Sequence, residues 1–323
     1  MSDRDLIINT IGSEERFYMI SHMLPDGDSI GSLLGMGLGL LSAGKKISMF
    51  TPGHIPRKYS FLSGADQVVH EEYNADPAVT VIVLDSSDPD RLGVFKDSVL
   101  KSKKIINIDH HVTNQRFGHL NYVDANASAT GEMVYGILKD LGVSINQDIA
   151  EALYVAISAD TGSFKYDNTI PYTHRVIADL LEFGLSPGTI SQRIFDEHPL
   201  PFYLLLKEAL SSLEMYENRS LALMTISKDI RERSGAATDD LEGLVNYSRN
   251  IEGVELGILF YVENESEVKV GFRSRQLDVS VLAGKFNGGG HARAAGCRMQ
   301  GSFETVKAKV LKESLTMLRE LQF

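Results

Sequence analysis

The chain has 323 residues, 43% of them hydrophobic and 23% charged, which is enough for two domains with separate cores and contains no apolar run of the roughly 18 to 20 residues that a membrane span requires. A formal net charge of −11 disfavours a broad face for long duplex DNA, because neutralising phosphates takes an excess of Lys and Arg. A small phosphorylated substrate stays compatible, since bound divalent cations invert the local field of a carboxylate cluster.

The elements follow in chain order. Residues 2–12 read as a helix with Ser2 as its N-cap. Residues 17–21 read as a strand, and an apolar helix then runs from about Ser29 to Ala43 and ends at Gly44. Its glycines Gly35, Gly37 and Gly39 lower helix propensity, so close packing is expected there. Residues 45–50 form a strand; 80–84 and 104–108 are continuous apolar runs, the signature of a parallel sheet covered on both faces. Helices follow at about 128–141, 147–159 and 172–183. This is an α/β pattern with a doubly wound, mostly parallel sheet. Residues 185–205, with Pro187, Pro199 and Pro201, read as a partly helical linker between a domain at 1–184 and a smaller mixed α+β domain at 206–323. In that second domain strands are expected at 220–226, 254–262 and 267–273, helices near 238–250 and 303–320, and a loop at Gly288-Gly289-Gly290.

Three strands of the first half end in metal-capable chemistry at the carboxyl edge, where open α/β sheets bind ligands. Strand 104–108 runs into Asp109-His110-His111, strand 17–21 into His22, Asp26 and Asp28, and strand 80–84 into Asp85. Two adjacent imidazoles at a buried strand end each need polar partners, and Asp109 is placed to orient one of them. Asp26 and Asp28 sit two apart on a loop turned by Pro25 and Gly27, a spacing that lets two carboxylates face two neighbouring cations; Asp28 can also cap the helix beginning at Ser29. A plain Asp-Gly turn would use the same residues, and Asp85 ahead of a capping Asp88 also reads as a turn residue. Asp160 lies near a helix C-terminus, where a carboxylate opposes the helix dipole and a cation would compensate; a solvated acid is the bland alternative. Imidazole mixed with hard carboxylates suits Mn²⁺, or Mg²⁺, better than structural Zn²⁺.

The ordered set His22-x-x-x-Asp26-x-Asp28, Asp85, Asp109-His110-His111 and Ala159-Asp160-Thr161-Gly162 resembles the DHH phosphoesterase family across most of residues 17–165. The resemblance implies a catalytic domain carrying two Mn²⁺ ions. His22 and Asp26 would hold one; Asp28, His110 and Asp160 the other; Asp85 would bridge, His111 would contact the scissile phosphate, and Asp109 would support the histidine pair. In the second half, Gly288-Gly289-Gly290-His291-Ala292-Arg293-Ala294-Ala295-Gly296 resembles the signature of the DHH-associated domain, with Asn287 where many relatives have a further glycine. Consecutive glycines expose backbone N–H groups, and a helix start after them would attract anions. On that footing Arg273, Arg275, Gly288, Gly289, Gly290 and His291 are the expected substrate-binding residues.

Length and domain pairing resemble the bacterial nanoRNase and pAp-phosphatase group. This implies hydrolysis of short oligoribonucleotides to mononucleotides and of 3′-phosphoadenosine 5′-phosphate (pAp) to AMP in a cleft between the domains, and it permits a homodimer. A cyclic-dinucleotide phosphodiesterase or a pyrophosphatase on the same metal core is the competing enzyme reading. A non-catalytic nucleotide-binding protein is the other, opposed by the intact ligand set. The single Cys297 excludes an intrachain disulfide, and Met1-Ser2-Asp3-Arg4-Asp5 lacks the basic-then-apolar order of a signal peptide, so a cytoplasmic protein with no membrane partner is expected.

Overall fold

The computed structural model describes residues 2–70, 76–236 and 243–321. It divides into two compact units, Met1–Glu197 and His198–Phe323.

The first unit opens with α1 (Asp3–Ser13), closed at its start by a reciprocal capping box between Ser2 and Asp5. There follow β1 (Arg16–Ile20), α2 (Gly27–Ser42), β2 (Lys46–Phe50), β3 (Thr80–Leu84), α3 (Lys96–Leu100), β4 (Ile105–Asp109), β5 (Leu120–Val123), α4 (Thr130–Asp140), α5 (Gln147–Asp160), α6 (Pro171–Leu181) and α7 (Pro187–Ser191). The strands form one sheet in the order β2-β1-β3-β4-β5, every pair parallel. β3 and β4 are buried at all five positions, as continuous apolar runs between two helical layers must be. The chain leaves β1 for β2 on one side and returns to β3 on the other. That reversal opens a crevice above the carboxyl ends of β1 and β3.

Helix α2 packs closely on its neighbours because its glycines leave room. A Cβ on Gly31 would lie 2.4 Å from the Ala152 carbonyl oxygen of α5, and one on Gly35 2.6 Å from Leu153. The start of α2 departs from expectation: the helix begins at Gly27, and its cap is Asp26, whose Oδ1 accepts the Ser29 N–H at 3.0 Å. Asp28 therefore sits inside the first turn and is free to point elsewhere. Among the described residues no helix is long and apolar enough to cross a membrane.

The second unit contains α8 (Leu200–Ser211), β6 (Glu214–Tyr216), β7 (Leu221–Ile226), α9 (Lys228–Ser234), α10 (Leu244–Arg249), β8 (Leu256–Asn264), β9 (Glu267–Ser274), α11 (Val279–Gly284), β10 (Gly289–His291), β11 (Ala294–Gln300) and α12 (Phe303–Leu321). Its sheet has the order β10-β11-β9-β8-β7-β6 and is antiparallel except between β7 and β8. Of the helix expected over 238–250, α10 covers Leu244–Arg249, and residues 238–242 lie outside the described residues.

The glycine run differs from the expected loop ahead of a helix. Gly289 and Gly290 belong to β10, which pairs with β11 as a tight hairpin, and the neighbouring helix α11 precedes the glycines. The physical reason is close approach: a Cβ on Gly288 would lie 2.2 Å from the Gly296 carbonyl oxygen, and one on Gly290 2.5 Å from that of Ala294.

Candidate metal centre

The carboxyl ends of β1, β3 and β4 bring His22, Asp26, Asp28, Asp85, His110 and His111 together, and the C-terminus of α5 adds Asp160. Their ligating atoms fall into three overlapping groups: His22, Asp26 and Asp85; Asp28, His110 and Asp160; Asp85, His110 and His111.

Asp85 lies at the middle. Only 2% of its side chain is exposed, and its two oxygens face different ways. Oδ2 is 3.4 Å from His22 Nε2, while Oδ1 is 3.8 Å from His110 Nε2 and 3.6 Å from His111 Nδ1. The Thr130 hydroxyl donates to Oδ1 at 3.0 Å. The backbone here is left-handed, with φ of 57°, an unusual conformation for a residue with a side chain and one that gathers at functional sites.

Asp28 is tied both to the start of α4 and to its own helix. The N–H groups of Thr130 and Gly131 donate to it at 2.6 and 2.9 Å, and the Ser32 hydroxyl at 2.9 Å. Ala129, at the cap position of α4, supplies no side-chain cap, so Asp28 satisfies that helix start from 102 residues away.

The histidines are oriented from behind. The Nδ1–H of His110 points to the Ala127 carbonyl at 3.3 Å, which turns Nε2 toward Asp160, Asp28 and Asp85 at 3.4, 3.7 and 3.8 Å. Nδ1 of His111 is 2.6 Å from Asp109 Oδ1. Asp109 is fully buried, and the Asn114 amide holds its other oxygen at 2.5 Å and Asn107 Oδ1 at 2.8 Å.

The electrostatics describe a site short of positive charge. Burial raises Asp160, and with Asp26 and Asp85 close by its carboxyl is pushed up to about 7. Burial alone would lower His110, but Asp160, Asp28 and Asp85 outweigh it and lift the ring to about 9. Burial likewise opposes ionisation of Asp85, yet the adjacent imidazoles of His22, His111 and His110 hold it below the usual carboxylate range. His22 is 1% exposed, and neither ring nitrogen makes a hydrogen bond. A buried imidazole without a donor or acceptor is costly, and Nε2 faces Asp85 and Asp26, the latter at 3.9 Å. A divalent cation would satisfy this nitrogen and relieve the repulsion among the carboxylates, so the donor set fits one.

Sequence reading missed several residues that hold this arrangement. Thr130 and Asn114 lie on segments without a metal-ligand pattern. Arg91 sits three residues after the capping Asp88, and its Nη1 lies 3.3 Å from His111 Nε2. The expected substrate-binding residues stand in the other unit. Arg273 Nη1 donates to the Phe272 carbonyl at 2.9 Å. Arg275, just past β9, donates through Nε to the Val254 carbonyl at 2.8 Å and through Nη2 to that of Arg249 at 3.5 Å, so its guanidinium ties backbone segments. His291 pairs with Ala294 through the backbone, and its side chain lies outside the described residues.

Comparison with known proteins adds to this geometry. Residues 16–157 match the DHH family, N-terminal domain, and residues 219–320 match the DHHA1 domain. The bifunctional oligoribonuclease and PAP phosphatase NrnA of Thermus thermophilus is 34% identical over 312 residues, covering 94% of this chain and 91% of that protein. Its namesake in Bacillus subtilis is 29% identical, covering 97% of this chain and 98% of the relative. The crystal structure of an exopolyphosphatase-related protein from Bacteroides fragilis superposes with a TM-score of 0.92 at 25% identity, over 99% of this chain and 97% of that one.

Proposed function

The chain belongs to the DHH family of phosphoesterases, and from that premise we propose that it is a cytoplasmic, Mn²⁺-dependent hydrolase that degrades short oligoribonucleotides to mononucleotides and converts pAp to AMP. The observation that carries the reading is the split orientation of Asp85, one oxygen toward His22 and the other toward His110. A single carboxylate placed so can serve two cations. His22, Asp26 and Asp85 would hold one; Asp28, His110, Asp160 and the second oxygen of Asp85 would hold the other. When bound, such a pair supplies Lewis-acid charge to phosphoryl oxygens and acidifies a water.

The chain's own residues do the rest. Asp109, clamped by Asn114, keeps the proton of His111 on Nδ1 and fixes the ring toward the scissile phosphate. Residues 1–184 form the catalytic domain, 185–205 the linker and 206–323 the substrate domain, where Arg273, Arg275, Gly288, Gly289, Gly290 and His291 hold the nucleotide. The names of the Thermus and Bacillus relatives support this pair of substrates, and the net charge of −11 suits short ones.

The test is Mn²⁺-dependent hydrolysis of pAp, a linear diribonucleotide, a long RNA, a cyclic dinucleotide and pyrophosphate, measured side by side. Turnover of the first two with little on the long RNA is the expected result. Turnover confined to the cyclic compound or to pyrophosphate would replace the substrate assignment, and none at all would favour a binding role.

A further inference from the structure

Arg91 is fixed at the site from two directions. Asp88 caps its turn, with Oδ1 accepting the N–H of Asp90 at 2.8 Å and of Arg91 at 3.3 Å. The Arg91 carbonyl accepts the Met23 N–H at 2.8 Å, which ties this turn to the loop that carries His22 and Asp26 and leads into α2. Gly93, at φ of 53°, lets the backbone turn back immediately afterwards. The guanidinium reaches His111, with Nη1 3.3 Å from Nε2. Among the described residues it meets no carboxylate, although Asp85 and Asp109 lie beside Nδ1 of the same ring. A guanidinium carries five N–H donors in a planar fork, and among the described residues only one is engaged, by His111 Nε2. Arg forks match phosphate oxygens in two-point contacts.

We propose that Arg91 is a substrate-contacting residue: its free donors bind the non-bridging oxygens of the phosphoryl group being cleaved, beside His111. The inference rests on the phosphoesterase reading and deepens it by assigning an anion subsite to the turn after β3. Arg91 acts on negative charge and leaves metal binding to the carboxylates and imidazoles.

The test compares the full-length wild type with Arg91→Ala and Arg91→Lys. Three quantities are measured: turnover of pAp and of a diribonucleotide, Mn²⁺ affinity, and the affinity of the Mn²⁺-loaded protein for inorganic phosphate. Arg91→Ala is expected to lose about 10²- to 10³-fold in turnover, the scale of removing one preorganised donor to a developing anion. It should bind phosphate more weakly, keep wild-type Mn²⁺ affinity, and recover part of its turnover when free guanidinium is added. Arg91→Lys should fall between, because an ammonium keeps the charge without the fork. Unchanged turnover and phosphate affinity in Arg91→Ala would overturn the assignment, as would a parallel loss of Mn²⁺ affinity, which would mark Arg91 as a support of the metal centre. If the wild type hydrolyses neither substrate, the enzymatic reading fails, and the phosphate affinities still decide the anion subsite.

Discussion

Asp85 carries more of the site than any other residue, and its backbone shows the strain of doing so. A left-handed φ of 57° stores on the order of 1–3 kcal/mol unless the surroundings compensate, and it aims one carboxylate at two clusters. Asparagine tolerates this region nearly as well as aspartate, so Asp85→Asn separates charge from backbone. The variant should keep wild-type circular dichroism yet lose more than the roughly 10- to 100-fold that follows removal of an outer-shell partner; turnover within a few-fold of wild type would remove Asp85 from the centre. His110 gives a pH prediction. Its ring, lifted to about 9 by Asp160, Asp28 and Asp85 against the effect of burial, contributes stability to the metal-free protein that is complete below about 6.5 and is lost as pH rises through about 9. A cation needs the neutral ring and must expel that proton. Apparent Mn²⁺ affinity should therefore climb with pH and level off near 9, and His110→Gln should flatten the climb; a flat wild-type profile in a Mn²⁺ titration would contradict it. The convergence of carboxylates and imidazoles was legible because three apolar strands each run into them, whereas taken singly Asp26, Asp85 and Asp160 read equally as turn, cap or solvated residues. Arg91 and Asn114 were not legible, since what defines them is a side-chain contact, with His111 and with Asp109, that no residue spacing signals.

At the scale of elements, α2 links sequence to site most directly. Its N-terminus delivers Asp28 to the start of α4, and its glycines let it lie against α5 closely enough to do so. Two substitutions of the same kind should then act with opposite sign. Gly31→Ala gains up to about 1 kcal/mol in helix propensity but drives a methyl to 2.4 Å from the Ala152 carbonyl and 2.8 Å from the Ala156 backbone nitrogen. Backbone cannot yield cheaply, and overpacking of this sort costs about 1–3 kcal/mol, so the variant should be less stable. In α4, a Cβ on Gly136 meets only the tip of Arg4, at 3.6 Å, and Gly136→Ala should be more stable by up to about 1 kcal/mol. Urea unfolding of both variants checks the pair; a stabilised Gly31→Ala would mean that α2 and α5 can separate without consequence. Most long elements were visible in the sequence because their periods repeat several times, but α8 (Leu200–Ser211) was not, since its start lies in the proline-bearing stretch read as linker. β5, β6, α9 and α11, of four, three, seven and six residues, are too short for periodicity to register. The role of Asp28 was hidden for a different reason: the helix it caps begins 102 residues later.

At the scale of the whole molecule, the chain contains two cores. The clusters built on residues from Ile7 to Ile194 lie within the first unit, and those built on Phe202 to Leu318 within the second. Units with separate cores can unfold separately, and a two-state description then fails for the chain as a whole. All the metal-capable groups described above lie in the first unit, so the cation should stabilise only that one by mass action. At a hundredfold excess over Kd the gain is about 2.7 kcal/mol, or roughly 5–10 °C in Tm for a unit of this size. Calorimetry of the full chain should show two transitions, of which Mn²⁺ moves one. Added pAp without metal should move the other if residues 206–323 hold the nucleotide. A single transition that shifts as a whole would show that the units unfold together, and a second transition indifferent to pAp would detach the nucleotide from Arg273 and the glycine hairpin.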